Sequence, residues 1–237
     1  MMLKLNLCLL KNVPVWQQLA IEEALLRADN ENWCVINEGS APAIVFGISG
    51  KINEHIDTES VKKNQVTVVR RFSGGGTVVV DESTFFVSFI FQKDELHLDQ
   101  CPKKLLEWTR PIYLPVFYPQ EFIIRENDYA LKNKKIGGNA QYFTKTRALH
   151  HTTFLWDYKK ERMDLLKMPP KIPEWRKERR HEDFVDCLKH YYPSMSFIKD
   201  KLIDHLHQQF QVDATRQAEI PEICLRPHRK ATELINF

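Results

Sequence analysis

The sequence predicts an α+β fold, with short strands and amphipathic helices interspersed along one chain. Three observations carry that expectation. Residues 66–81, VTVVRRFSGGGTVVVD, place β-branched runs on both sides of a glycine triplet. Residues 84–92, TFFVSFIFQ, are apolar nearly throughout, which suits a strand buried on both faces or central in its sheet. Residues 16–28 and 196–209 carry apolar side chains at helical spacing.

Taken in order, residues 3–10 read as a strand, ended by Pro14. In the helix over 16–28, Leu19, Ala20, Ala24 and Leu25 form the predicted buried stripe, with Gln18, Glu22, Glu23 and Arg27 mostly elsewhere. Residues 34–37 and 43–46 are short strands parted by the turn-like GSAP, and residues 57–63 are a short helix. Residues 103–110 are helical until Pro111 interrupts them. Asn127 and Asp128 favour a turn before a strand at 129–131. Lys132, Lys134 and Lys135 surround Asn133 and lead into Ile136, Gly137 and Gly138.

Residues 140–156 alternate weakly, so His150 and His151 would face opposite sides of a sheet, each as a hydrogen-bonded histidine. Beyond Trp156 the character changes. MPPKIPEW is proline-rich and extended, and RKERRHED at 176–183 reads as a solvated charged face. The helix at 196–209 would bury Phe197, Ile198, Leu202, Ile203 and Leu206, and the charged tail from 214 has no assignment. No composition shift marks a boundary, so residues 1–237 read as one domain able to bury a sizeable core.

The formal charge of +3 is small for this size and does not argue for nucleic acid or a membrane surface as partner, although local basic clusters could still serve one. The five cysteines are scattered without a C-x-x-C pair, which points to a reducing compartment rather than a zinc site or disulfide framework. No apolar run approaches the ~18 residues of a membrane span. The N-terminus alternates like a strand rather than a signal or transit peptide, so a cytoplasmic or organelle-matrix setting is expected.

Glycine triplets are poor strand material, because each glycine loses much backbone entropy on folding. They suit a sharp turn, or a place where a ligand touches bare backbone. Arg70 and Arg71 at the entrance and Ser73 beside the turn would suit an anion such as a carboxylate or phosphate. A Walker loop is excluded, since no Gly-Lys-Ser/Thr opens a helix here. A tight hairpin with two surface arginines is the plain alternative.

RRFSGGGTVVVD resembles the arginine–glycine loop of lipoate–protein ligases and their biotin-ligase and octanoyltransferase relatives. KIGGNAQ at 135–141 resembles that superfamily's lysine loop, and ALHHTTFLWD at 148–157 the strand after it. The helix at 16–25, the pair Asn127-Asp128 and PEWRKERRHEDF at 173–184 fit the same pattern, which covers most of residues 3–210. The resemblance implies a mixed, largely antiparallel sheet flanked by helices, akin to class II aminoacyl-tRNA synthetase cores. It also implies ATP with Mg²⁺, lipoate or octanoate as the acid, and transfer to a lysine of a carrier domain. The implied carriers are lipoyl domains of 2-oxoacid dehydrogenase E2 subunits and the glycine-cleavage H protein.

Carried across by motif, Lys135 would be the catalytic cation at the acyl–phosphate junction, with Lys134 its adjacent alternative. Arg71, Ser73, Gly75, Gly76, Thr77, Val78, Val79, Gly138 and Ala140 would line the nucleotide and acyl site. Asn127 or Asp128 would meet the metal or triphosphate. Octanoyltransferases use a cysteine near the lysine loop, but none lies between Cys101 and Cys187, and Cys187 reads as part of a helix. That favours an ATP-dependent ligase over a transferase acting on a preformed donor; a non-catalytic carrier-binding protein is the reading from another class. The sequence departs from the ligase pattern at Val80, where a histidine is usual, and at Gly137, where a serine is usual. Many ligases also continue into an accessory domain, so a separate accessory protein is a possible partner.

Overall fold

The computed structural model of the protein describes residues 2–97, 100–167 and 172–236. Its strands are β1 Lys4–Lys11, β2 Trp33–Glu38, β3 Ala43–Phe46, β4 Thr67–Arg70, β5 Val78–Val80, β6 Thr84–Gln92, β7 Phe122–Arg125, β8 Asp128–Leu131, β9 Lys134–Phe143, β10 Arg147–Leu155, β11 Gln211–Asp213 and β12 Glu233–Ile235. The helices are α1 Val15–Ala28, α2 Ile52–His55, α3 Thr58–Lys63, α4 Pro102–Val116, α5 Lys160–Met163, α6 His181–Phe184, α7 Met195–Gln209 and α8 Ile220–Leu225. An eight-stranded sheet runs β11-β1-β2-β6-β10-β9-β8-β7, and a four-stranded one β12-β4-β3-β5. Among the described residues only β1 with β11, β1 with β2, and β3 with β4 are parallel strand pairs, so the fold is mixed and largely antiparallel.

Strand β6 is central as expected, buried from Thr84 to Phe91 between β2 and β10. One face of the large sheet carries an aromatic core in which Phe85, Phe89, Phe91, Tyr129 and Phe154 meet residues of α4 and α7. The other face packs Val35, Phe86, Ile90 and Leu149 against α1 and against Val45, Val69, Phe72 and Val80 of the small sheet and its glycine stretch.

Several expectations need correction. Helix α1 buries Gln18, Glu22 and Glu23, while Ala20 is exposed. Both faces of this helix meet protein, and buried polar groups are tolerated where they are hydrogen-bonded. Glu23 shows how: it accepts from Arg27 Nε, from the backbone N–H groups of Ala231 and Thr232, and from the Thr232 hydroxyl. The tail thus straps across α1 and then pairs with β4.

Helix α4 passes through Pro111 and Pro115 to Val116. The carbonyls that lose their donors belong to residues 107 and 111, both exposed, so water can replace the missing bonds. Leu105, Leu106, Thr109, Ile112, Tyr113 and Val116 meanwhile continue one buried stripe. In α7 the buried residues are Ile198, Leu202 and Leu206, and Phe197 is exposed. Cys187 lies outside any α-helix, just before a 3-10 turn. Of the proline-rich segment, residues 168–171 lie outside the described residues. No helix among the described residues is long and apolar enough to cross a membrane.

His150 and His151 do face opposite sides of β10. His150 is fully buried against the aromatic core. Thr109 donates its hydroxyl to the Leu106 carbonyl, so Tyr129 must donate to Thr109, and His150 Nε2–H to Tyr129 at 2.8 Å. Gln141 Nε2 donates to the bare Nδ1 at 3.0 Å. Burial, with a smaller contribution from His151, holds the His150 pKa down at about 3 against an ordinary 6.5. Between those values the unfolded chain binds the proton and the folded chain does not. Stability conferred by His150 is therefore complete above the ordinary value and falls as the pH drops towards 3, by at most about 1.4 kcal/mol per pH unit. Urea titrations at pH 7 and pH 5 should show a smaller acid-induced loss for His150→Gln than for the unmodified chain, whatever the substitution costs at pH 7.

Candidate active site

The glycine triplet is not a hairpin turn. Strand β3 lies between β4 and β5, so the chain from Arg70 to Val78 must cross the end of β3. Arg71 turns inward there and is 5% exposed. Its Nε donates to Ser73 Oγ at 3.1 Å and to the Gly74 carbonyl at 3.0 Å. Its Nη2 donates to the carbonyls of Gly74 at 2.6 Å and Gly76 at 2.7 Å, and its Nη1 to that of Val45 at 3.4 Å. All these acceptors are neutral, and no carboxylate pairs with Arg71 among the described residues. Burial lowers its pKa only to about 10, so it stays charged at neutral pH.

In a trans peptide the N–H points opposite to its carbonyl. The Gly75 and Thr77 N–H groups therefore point away from the guanidinium. Gly75 needs to be glycine: its φ is +97°, and a Cβ would lie 2.8 Å from Arg71 Nη2 and 3.2 Å from the Ala140 Cβ. A Cβ at Gly47 would lie 2.5 Å from the Gly75 carbonyl oxygen, whereas one at Gly74 or Gly76 meets nothing within 4 Å. Val78 and Val79 are half-buried on β5, and the Thr77 hydroxyl is buried without a hydrogen-bond partner.

The predicted lysine loop is instead strand β9. Its register against β8 slips: Ala130 faces Lys135, but Tyr129 faces Gly137, leaving Ile136 as an extra residue. Such a bulge reverses the alternation of side chains. It brings Lys135 onto the face of Gly138 and of Asp128, which pairs with Gly138. Lys135 Nζ lies 2.6 Å from Asp128 Oδ1, and the Trp175 indole donates to Oδ2 of the same carboxylate at 3.2 Å. A Cβ on Gly138 would stand 3.4 Å from Nζ, and one on Gly137 would strike Phe154 at 2.7 Å. Lys134 is exposed, so the structure separates the two candidate lysines. Asn127 is exposed at the β7–β8 turn, its carbonyl accepting from Asn139.

The segment at 173–187 docks on this end of β9, where Asp186 N–H donates to the Lys135 carbonyl at 2.8 Å. It is not simply a solvated charged face. Arg176 is buried, with its guanidinium over the Phe184 ring, and Arg179 lies over Trp175. The aromatic rings and the packed stems hold these arginines in place.

Residues directly opposite in a sheet share a face. Ala140 pairs with His151, and Gly138 with Thr153, two residues along. Lys135, Asp128, Gly138, Ala140 and His151 therefore line one face, and Gly75 rests on Ala140. About 7 Å of strand separates Gly138 from Ala140. An open hollow of about 660 Å³ elsewhere, lined by Ser49, Lys51, Thr58, Lys62 and Arg70 among others, includes neither Lys135 nor the triplet.

Sequence reasoning missed the polar network behind the triplet. Ser73 Oγ is 2.8 Å from His151 Nε2, and His151 Nδ1 is 3.0 Å from Glu22 Oε2. Glu22 Oε1 accepts from Ser88 Oγ at 2.6 Å and Gln18 Nε2 at 2.8 Å. The available signal was spacing: Gln18 and Glu22 fall three and seven residues after Val15, on the stripe that Leu19 and Leu25 continue.

One sheet face thus carries a lysine paired with Asp128 and, resting on Ala140, a glycine turn held by a buried guanidinium. A family model, the lipoyl protein ligase A/B catalytic domain, matches residues 14–211, and the chain belongs to that family. A relative in Plasmodium falciparum, named an inactive lipoate–protein ligase 2, is 29% identical over 81% of this chain; the chain spans 66% of that relative's length. Among solved structures, a bipartite lipoate–protein ligase of Thermoplasma acidophilum, described with its E2 lipoyl domain, superposes with a TM-score of 0.76 at 18% identity. That match covers 94% of this chain and 92% of the other. A lipoate–protein ligase A bound with ATP gives 0.71 at 18% identity, over 94% of each chain.

Gly75→Ala should destabilise the chain by roughly 1–3 kcal/mol, from left-handed backbone strain and the Arg71 contact. Gly74→Ala should stay within about 0.5 kcal/mol of the unmodified chain. Urea denaturation of the two variants side by side checks the contrast.

Proposed function

We propose that this chain is the catalytic part of a lipoate–protein ligase. It activates lipoate or octanoate with ATP as an acyl adenylate and passes the acyl group to a carrier lysine. The observation that carries this reading is Lys135, an ammonium poised on Asp128 on the sheet face where the Arg71-held glycine turn rests. A carboxylate is a poor electrophile, because its leaving group would be oxide. Joined to AMP, it gains a stable phosphate leaving group.

Negative charge must then be met on the carboxylate, the α-phosphate and pyrophosphate. Lys135 supplies one positive pole at the acyl–phosphate junction. The Gly75 and Thr77 N–H groups, with the uncancelled charge of Arg71 behind them, supply another. In this reading Arg71 and Ser73 act through the backbone they hold, rather than by lining the ligand themselves. Gly75, Gly76, Thr77, Val78 and Val79 border nucleotide and acyl chain, and Gly138 and Ala140 form the floor. Asp128, with Asn127 beside it, would meet the Mg²⁺ of the nucleotide. One carboxylate is enough where phosphates and water complete the shell.

Cysteine-based transfer is disfavoured by the environment of Cys187. Its thiol is pushed up to about 12, by burial first and then by Asp157 and Asp186. It is not poised as a thiolate. A second reading has one observation in its favour, the name of the Plasmodium relative as inactive. On that reading the chain takes a preformed acyl adenylate, or binds carriers without turnover.

Incubation with ATP, Mg²⁺, lipoate and a lipoyl domain, followed by intact mass, should show one lipoyl addition. Modification with synthetic lipoyl-AMP alone would instead select the transfer reading, and none with either donor the carrier-binding reading. A separate accessory protein and the glycine-cleavage H protein are further arms of the same assay. Lys135→Ala should slow transfer by on the order of 10²–10³-fold, as for the loss of one donor to developing charge. Its circular dichroism should be unchanged, since Asp128 keeps the Trp175 donor. Lys134→Ala and Cys187→Ser should both remain active.

A further inference from the structure

We propose that Glu22 and His151 are positioning residues that fix the glycine stretch through one directed chain of hydrogen bonds. Glu22 is fully buried, and its carboxylate can only accept. The His151 nitrogen 3.0 Å away, Nδ1, must therefore carry a hydrogen. In the neutral ring Nε2 is then bare and takes the Ser73 hydroxyl hydrogen at 2.8 Å. That orientation turns the Ser73 lone pairs towards Arg71 Nε, which donates at 3.1 Å. The direction is thus Arg71 to Ser73 to His151 to Glu22.

The far end is anchored in main chain. Gln18 Oε1 accepts from Asn37 Nδ2 at 2.9 Å, and the Asn37 amide pairs with the backbone of Val13, just before α1. The glycine stretch is thereby tied to the start of α1 across the sheet. With Ser73 fixed, Arg71 is held where it draws in the Gly74 and Gly76 carbonyls and turns the next N–H groups outward.

The sequence of donors matches that of a serine–histidine–acid hydrolase, but the hydroxyl here is wholly buried and engaged by Arg71. It orients a loop and is not a nucleophile. The neighbouring histidine is a built-in control, because His150 carries its hydrogen on Nε2.

This deepens the proposed function, since the stretch being positioned is the one assigned to the ligand. Its test needs neither ATP, acid nor carrier, so it can fail independently. Long-range ¹⁵N–¹H correlation spectra of the imidazole rings in the ligand-free protein should show Nδ1–H at His151 and Nε2–H at His150. In Glu22→Gln the obligatory acceptor is lost, and His151 should become a mixture of tautomers. The ¹⁵N order parameters of residues 74–77 should then fall from the rigid-backbone range of about 0.85 to below about 0.6. Ser73→Ala, which keeps the Glu22 contact, should leave His151 on Nδ1–H but lower the same order parameters. Ser88→Ala, a buried change beside Glu22, should alter neither readout. An Nε2–H tautomer at His151, wild-type order parameters in both Glu22→Gln and Ser73→Ala, or labelling of Ser73 by a phosphonate directed at nucleophilic serines would overturn the proposal.

Discussion

Arg71 places a full positive charge inside the protein with only carbonyls and a hydroxyl for partners. Desolvating such an ion costs several kcal/mol, and an adjacent carboxylate would be the usual compensation. Here the compensation is dipolar. Carbonyls of Val45, Gly74 and Gly76 converge on the guanidinium, and each leaves its peptide N–H facing the other way. Neutral partners satisfy the donors without cancelling the charge, so the stretch presents a positive field on its outer side. Gly75 lets the backbone bend into this arrangement, and Gly47 lets the end of β3 support it from beneath.

The floor under that stretch is a sheet whose two faces have different tasks. On one side of β10, His150 closes a sealed aromatic core, neutral and fully bonded. On the other, His151 belongs to a polar network that reaches from Arg71 to α1. The two histidines are adjacent in sequence and hold opposite tautomers, because the strand sends them to environments with opposite hydrogen-bond demands. A stiff core on one face is what allows an ordered polar site on the other.

Strand β9 adds the second positive pole by a local irregularity. One extra residue, Ile136, turns Lys135 towards Asp128 and Gly138. Gly137 and Gly138 then have different reasons to lack side chains: the first sits under Phe154, the second leaves room beside the ammonium. The segment around Trp175 closes on the same carboxylate, so Asp128 is held from two sides.

The sequence by itself determined several of the elements and which residues bear charge near glycine. The strands at 43–46 and 84–92, the helices α1 and α7, and the stretches around Arg71 and Lys135 were all legible. Periodicity and turn chemistry act over a few residues, and those signals survive in one dimension. Tertiary structure alone decided that β3 separates β4 from β5, that α4 runs through two prolines, and that Glu22 and Gln18 lie inside. It also decided that Lys135 faces Asp128 on the same side as Ala140. Each of these depends on what packs against the element: an apolar stripe that outweighs two missing hydrogen bonds, a second layer that covers a polar helix face, or a one-residue bulge that reverses a strand. No local propensity encodes those partners, because they come from parts of the chain dozens of residues away.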